Sequence, residues 1–159
     1  MTFAAVTGVV LYVVAMALVF GGTAALSFAT APTTFRTLPA VDAGRVFGKV
    51  LRVFDAMGYV ASMVALVGAV VAMAVVVTMP GIALAALAAT IHVTFVLLRR
   101  SVAPKMAALK PPETADEERR WDPASRAQFD ALHRLYVRLY TSNLFLSLAA
   151  IVLAVLQLH

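Results

Sequence analysis

The sequence predicts an all-α integral membrane protein, a four-helix bundle with a cytoplasmic amphipathic helix between spans 1 and 2. Hydrophobic residues make up 62% of the 159-residue chain and charged residues only 13%, whereas about 25% of residues are charged in typical soluble domains. The uncharged stretches are long enough to cross a bilayer, which takes about 20 residues. We therefore expect a single transmembrane domain over 1-159, with the lipid bilayer as its main partner.

Four spans are predicted, at about 3-29, 56-77, 82-98 and 139-158. The first lies in an uncharged N-terminal stretch and is expected to end before Pro32. The second and third share the uncharged run 56-98, which is too long for one span. Pro80 and Gly81 form a turn dipeptide inside this run, so we expect a tight hairpin there.

Polar segments at 32-55 and 99-138 connect the spans. In the first, Arg45, Lys49 and Arg52 are spaced i, i+4, i+7 and share one face of the amphipathic helix. This face has two interpretations. It binds anionic lipid or a phosphate-bearing ligand, or it is a hydrated surface that only fixes topology.

The second polar segment continues span three past a bend near Pro104. Thr114 and Glu117 form a candidate capping box. Asp122 and Pro123 suit the N-cap and first position of the last helix, which then runs into span four.

The basic residues predict the orientation of the chain. All 13 Lys and Arg residues lie in the two polar segments, and positive residues mark the cytoplasmic side of a membrane protein. We expect a multi-pass protein of a bacterial-type inner (plasma) membrane, with the N- and C-termini outside and both basic segments cytoplasmic. The same argument explains the net charge of +5 without nucleic acid as a partner.

Polar residues inside the spans are the candidate ligand-binding residues. His92 is the only ionisable side chain well inside a span, and such residues often mark functional sites. Span four carries a polar stripe at helical spacing, which we expect to face the bundle interior: His133, Tyr136, Tyr140, Asn143 and Ser147.

These residues predict a polar pocket in the cytoplasmic half of the bundle. Measured from Arg99 and Arg138, His92 and Asn143 lie at similar depth. Ser27, at the end of span one, and Asp55, at the start of span two, are expected to face the same space. The alternative is that the polar groups only hydrogen-bond neighbouring helices to each other.

Two histidines are the candidate metal ligands. A haem held by His92 and His133 is disfavoured, because the two residues are offset along the membrane normal by roughly 18 Å. Either histidine alone remains a candidate ligand. The chain has no cysteine, no phosphate-binding glycine loop and no nucleophile elbow. The sequence therefore favours a protein without catalytic activity over an enzyme, and no catalytic residue or bound cofactor is predicted.

Several short patterns are similar to those of a known family. The residues concerned are Ala31-Pro32 with Phe35 and Leu38, the stretch GRVFGKVLRVFD, the segment RSVAPKM, and Phe129, Leu132 and His133 ahead of Asn143. Over nearly the whole chain they resemble the transmembrane-protein-205-like family of four-span proteins of unknown function. That family is distantly similar to the copper-resistance-D-like group, which includes a membrane protoporphyrinogen oxidase. The resemblance implies a helical bundle and makes haem b or copper an alternative cofactor, although span one has no histidine to match the haem-binding relatives.

Three functions follow from these observations. The first is a small membrane protein that binds or passes a small ligand in the polar pocket, or serves as an accessory subunit. The second is a haem- or copper-associated membrane redox protein. The third is a purely structural partner in a homo-oligomer or a larger membrane complex.

Overall fold

The fold is a bundle of four long helices, as the sequence predicts. The computed structural model describes residues 3–74, 78–110 and 122–156, and within these ranges it contains no strand. Each helix is long and apolar enough to cross a membrane. The helices are α1 (Phe3–Thr37), α2 (Ala40–Met73), α3 (Met79–Leu109) and α4 (Pro123–Leu156). The all-α membrane fold class is therefore confirmed.

The first and third helices each contain a π-helical segment, Ala25–Thr30 in α1 and Leu98–Val102 in α3. An Ala-Pro pair follows directly in both cases. A proline ring clashes with the carbonyl four residues earlier, and the wider π-helical turn moves that carbonyl away. The helix therefore continues past each proline instead of ending before it.

The amphipathic segment is continuous with span two. Leu38 and Pro39 are extended and separate α1 from α2. From Ala40 a single helix of 34 residues carries both the basic face and the apolar span. At 1.5 Å per residue this helix is about 50 Å long, against a hydrocarbon core of about 30 Å. We call the end of the bundle that carries the Lys and Arg residues the basic end.

The starts of α3 and α4 are set by side-chain caps. The backbone N–H of Ser125 donates to Asp122 Oδ2 at 3.0 Å, which confirms Asp122 as the N-cap of α4. Thr78 caps α3 by accepting the N–H of Gly81 at 3.1 Å. The third helix therefore begins at Met79, ahead of the predicted position. The proposed capping box of Thr114 and Glu117 lies outside the described residues.

The core is formed by small and large residues that interlock between helices. α1 packs along α2 and α4, and α3 packs between α2 and α4. Gly8 and Gly68 let α1 and α2 touch through their backbones, because a Cβ on Gly8 would lie 2.7 Å from the Gly68 carbonyl oxygen. Tyr12 is buried and its hydroxyl donates to the Leu84 carbonyl at 3.0 Å, which ties α1 to α3.

Candidate functional site

Asp55 is at the centre of a buried polar group, which we call the tyrosine–aspartate cluster (Asp55, Tyr136 and Tyr140). The carboxylate lies on α2 and the two tyrosines lie one turn apart on α4. Both phenol hydroxyls donate to the same oxygen, Asp55 Oδ1, at 2.5 Å from Tyr136 and 2.9 Å from Tyr140. The tyrosine rings stack with their centroids 5.2 Å apart. Two different helices are thus joined through one carboxylate oxygen.

The charge of Asp55 is only partly compensated within the bundle. Asp55 is only 5% exposed, and burying a carboxylate without partners costs much free energy. The two phenol donors offset part of this cost, and the positive charge of Arg99 on α3 acts in the same direction. The Arg99 guanidinium lies over the ring of Tyr59, 5.4 Å from its centroid. α2, α3 and α4 therefore all contribute to the electrostatics of this group.

His92 belongs to a second polar group, between α2 and α3. The Ser62 hydroxyl donates to the Tyr59 carbonyl at 2.9 Å, and Ser62 Oγ lies 3.1 Å from His92 Nδ1. Because serine has one hydroxyl proton, these two contacts are satisfied together when His92 Nδ1 carries a proton and donates to Ser62. Nε2 is then the acceptor nitrogen of the ring. The imidazole also packs against the Tyr59 ring, with centroids 5.0 Å apart.

The polar stripe of α4 faces the interior over most of its length. Tyr136, Tyr140, Asn143 and Ser147 are buried, as their spacing predicts. His133 is exposed and stacks on Phe129 at 6.2 Å, because it lies toward the basic end, beyond the buried part of the stripe.

Asn143 is fully buried and yet unpaired. Neither its Nδ2 nor its Oδ1 atom has a hydrogen-bond partner among the described residues. Its backbone carbonyl does accept the Ser147 hydroxyl at 2.7 Å. An unpaired amide in an apolar interior costs free energy, so this side chain is either a source of instability or a binding group for something small.

The remaining predicted residues are on the surface. Ser27 is exposed on the π-helix of α1, where its neighbour Leu26 takes the buried position. The structure therefore does not bring Ser27 to the tyrosine–aspartate cluster. The three basic residues of the α2 face, Arg45, Lys49 and Arg52, are also exposed. The Arg45 guanidinium lies 3.8 Å from the Asp42 carboxylate.

Beside the cluster lies a groove of about 480 Å³ between α1 and α2. It extends along α1 from Leu11 to Thr23 and along α2 from Phe54 to Val64. Its lining is almost entirely apolar, which differs from the polar pocket that the sequence predicts. The polar side chains of the tyrosine–aspartate cluster and of the His92 pair bond to one another inside the bundle, and the unpaired Asn143 does not line the groove.

The inner wall of the groove is aromatic. Phe95 from α3 and Tyr140 from α4 form it, with ring centroids 6.0 Å apart in an edge-to-face arrangement. Phe95 packs on Gly58, where an added Cβ would lie 2.2 Å from the ring. Tyr140 belongs both to this wall and to the tyrosine–aspartate cluster, so it links the groove to Asp55.

Sequence reasoning overlooked three members of the site. Tyr59, Gly58 and Phe95 were not selected, although a signal existed for the first. Asp55, Tyr59 and Ser62 are spaced i, i+4, i+7, so they share the interior face of α2. Phe95 and Gly58 carry no polar signal, and their pairing depends on how α2 and α3 pack.

A haem between two histidines does not fit these residues. The described part of the chain holds no group of three or more His, Cys, Asp or Glu side chains that would share a metal ion. Phe95 and Tyr140 are in contact and give a common depth. From there His92 lies three residues toward one side and His133 seven residues toward the other, an offset of about 15 Å. We derive no redox step from this pair.

The fold and the site define a class: a four-helix integral membrane protein with a buried tyrosine–aspartate cluster and a groove that opens between two spans. Residues 2–113 match the model of a family described as domain of unknown function (DUF4149). The match covers most of the chain, which therefore belongs to this family. Resemblance to the transmembrane-protein-205-like family stays a prediction. No curated protein and no solved structure matches the chain.

Proposed function

We propose that this protein binds a small lipophilic ligand that enters the groove between α1 and α2 from the bilayer. The observation that carries the proposal is the groove of about 480 Å³ with Tyr140 of the tyrosine–aspartate cluster in its wall. Small-molecule sites typically have volumes of about 300–1,000 Å³ and are mostly apolar with a few placed polar groups. The groove has both properties.

The rim of the groove supports entry from the lipid. Val14 and Leu18 on α1 and Val60 on α2 line it and are each more than half exposed. Exposed apolar side chains on a membrane-spanning helix face hydrocarbon, so an apolar ligand reaches this rim without crossing water. The groove is about ten residues long on α2, or about 15 Å at helical rise, which suits a chain lying parallel to the helices.

The protein is proposed to act in a bacterial-type inner membrane, with its basic end in the cytoplasm and both termini outside. The distribution of Lys and Arg supports this orientation. The groove then begins at the cytoplasmic boundary of the bilayer, near Phe54 and Thr23, and extends toward the middle of the membrane.

A structural role is the second candidate, and the closed hydrogen bonds of the cluster favour it. Asp55 and its two tyrosines bond to one another without a ligand. If they serve only to hold α2 against α4, the groove is filled by ordinary lipid and carries no function.

The test is to fill the groove with a side chain. Val60→Trp adds bulk at the rim, where the side chain is exposed and has room. Val67→Trp is the matched control, because Val67 is equally exposed on the same face of α2, two turns away, and does not line the groove. We expect Val60→Trp to reduce binding of a lipophilic fluorescent polyene at least several-fold and Val67→Trp to leave it unchanged. Equal binding by both variants would exclude the groove as a ligand site.

A further inference from the structure

We propose that the ligand is a neutral lipophilic alcohol or phenol whose hydroxyl donates a hydrogen bond to the oxygen of Tyr140. This inference rests on the proposed function and adds the chemical class of the ligand. It follows from the direction of the hydrogen bonds inside the tyrosine–aspartate cluster.

The hydroxyl proton of Tyr140 is already used in a hydrogen bond to Asp55. Its hydroxyl donates to Asp55 Oδ1 at 2.9 Å, and the Tyr136 hydroxyl donates to the same atom. A phenol has one proton, and its oxygen also accepts. Once the proton points at Asp55, Tyr140 offers a new partner only the lone pairs of its oxygen. A ligand that pairs with Tyr140 must therefore bring a donor.

The wall of the groove includes Tyr140. Tyr140 lines the groove together with Phe54 and Ala56, which flank Asp55 in the sequence. Thr23, on the α1 side, is the other hydroxyl residue of the lining. All remaining lining residues are apolar, so a suitable ligand has one polar end and a long apolar body.

Charge narrows the class further. A carboxylate or phosphate would be repelled by the buried Asp55 and would have no donor to offer. An ammonium group would have to lose its water in a groove that faces lipid, which is costly. An uncharged hydroxyl meets the donor requirement without this cost.

The experiment compares 1-dodecanol with its methyl ether, which keeps the chain and the oxygen but has no donor. Binding to the purified full-length protein in detergent is measured by native mass spectrometry. We expect the wild-type protein to bind the alcohol about 3- to 10-fold more tightly than the ether, the range expected for one hydrogen bond. Dodecanoate and dodecylamine should bind more weakly than the alcohol.

Two variants separate the hydrogen bond from packing. Tyr140→Phe keeps the ring and the groove but removes the oxygen, so it should bind alcohol and ether equally. Tyr136→Phe is the matched control, because Tyr136 bonds to the same Asp55 oxygen and does not line the groove; its preference for the alcohol should remain. Thermal unfolding of each variant shows that the bundle is folded.

The outcomes are distinguishable. Equal binding of alcohol and ether to the wild-type protein, or a preference that survives in Tyr140→Phe, overturns the inference while the groove remains a ligand site. If neither compound binds to the wild-type protein and Val60→Trp has no effect on the polyene, the proposed function fails and the inference fails with it.

Discussion

At the scale of single residues, the bundle has to compensate a carboxylate that is almost fully removed from water. Two phenol donors on α4 bond to the Asp55 carboxylate, and the positive charge of Arg99 on α3 attracts it, so that part of the cost of burial is offset. Bonds to a charged group are stronger than those between neutral groups. The same residue therefore decides both how α2 and α4 are joined and which atoms Tyr140 can offer to a ligand.

Replacing Asp55 tests the first of these roles. Asp55→Ala leaves the hydroxyls of Tyr136 and Tyr140 without their shared acceptor, and we expect it to lower the free energy of unfolding by about 2 kcal/mol. The measurement is unfolding of the purified protein in mixed detergent and SDS. Asp42→Ala is the control, because Asp42 is exposed and its pairing with Arg45 contributes at most about 0.5–1 kcal/mol. Equal effects of the two substitutions would contradict a structural role for the cluster.

Asn143 gives a prediction of opposite sign. Its amide is fully buried without a partner in the described residues, so Asn143→Leu removes a desolvation cost while keeping the number and branching of the side-chain heavy atoms. We expect the variant to be more stable by about 1–3 kcal/mol in the same unfolding measurement. Ser147→Ala serves as a comparison, because Ser147 is equally buried but bonded to the backbone. A clear loss of stability in Asn143→Leu would contradict this prediction.

Sequence reasoning works at this scale where a polar residue interrupts an apolar face. The α4 stripe was predicted from helical spacing alone, and Tyr136, Tyr140 and Asn143 are indeed buried. Ser27 shows the limit of the method. Its place at the end of span one does not say which side of the helix it occupies, and the interior position there is Leu26, seven residues after the buried Val19.

At the scale of helices, the contact between α1 and α2 depends on two glycines. Gly68→Ala would place a Cβ 2.7 Å from the Gly8 carbonyl oxygen, so the two backbones must separate. We expect a loss of about 1–3 kcal/mol in the free energy of unfolding. Because this contact continues into the groove, ligand binding should weaken as well.

Gly44→Ala is the matched control for that substitution. Gly44 is also inside α2, but an added Cβ meets nothing within 4 Å. Alanine has the higher helix propensity by about 1 kcal/mol, so this variant should be equally stable or slightly more stable. A comparable loss in both variants would show that general glycine flexibility, and not close packing, explains the effect.

The helix ends were only partly predictable. Asp122 predicts the start of α4, because an aspartate directly before a proline is a common N-cap pattern. Pro32 misled the prediction in the other direction. A proline normally ends a helix. In α1 the π-helical turn before Pro32 makes room for the proline ring, and the sequence carries no signal for this turn. The continuity of the amphipathic segment with span two does have a local signal, because no proline separates them between Ala40 and Met73.

At the scale of the whole molecule, the helices are longer than the bilayer is thick. A 34-residue helix exceeds the hydrocarbon core by about 20 Å. We expect the excess to lie at the basic end, where the exposed charged residues are found. The tyrosine–aspartate cluster is therefore near the level at which the bundle leaves the hydrocarbon, and the groove runs from this level into the membrane.

The orientation of the molecule is open to a direct test. The natural chain has no cysteine, so single cysteines report position without background. Met79→Cys at the start of α3 should react with a membrane-impermeant maleimide on intact cells, because Met79 is 81% exposed and is expected outside. Lys49→Cys should react only after the membrane is permeabilised. The reverse labelling pattern would show that the basic end faces outward.

The fold at this scale was predictable because hydrophobic length and charge distribution act on the whole chain. The groove was not. Its existence depends on the gap that small residues such as Gly22 and Ala61 leave between α1 and α2, and on Phe95 and Tyr140 filling that gap from behind. Such a gap is a property of the packed helices together and not of any one segment.

The π-helices of α1 and α3, each followed by Ala-Pro, have a consequence for the architecture. Each is succeeded by a helix of 34 residues that begins at a proline or directly after one. Helices α1 and α3 both run toward the basic end, so the chain consists of two helical hairpins with the same direction and the same π-helix before an Ala-Pro pair. A symmetric pair of identical hairpins would carry every side chain twice. Because the two hairpins belong to one chain, they can carry different residues at the bundle interior. The acid Asp55 lies in the first hairpin and its two phenol partners lie in the second.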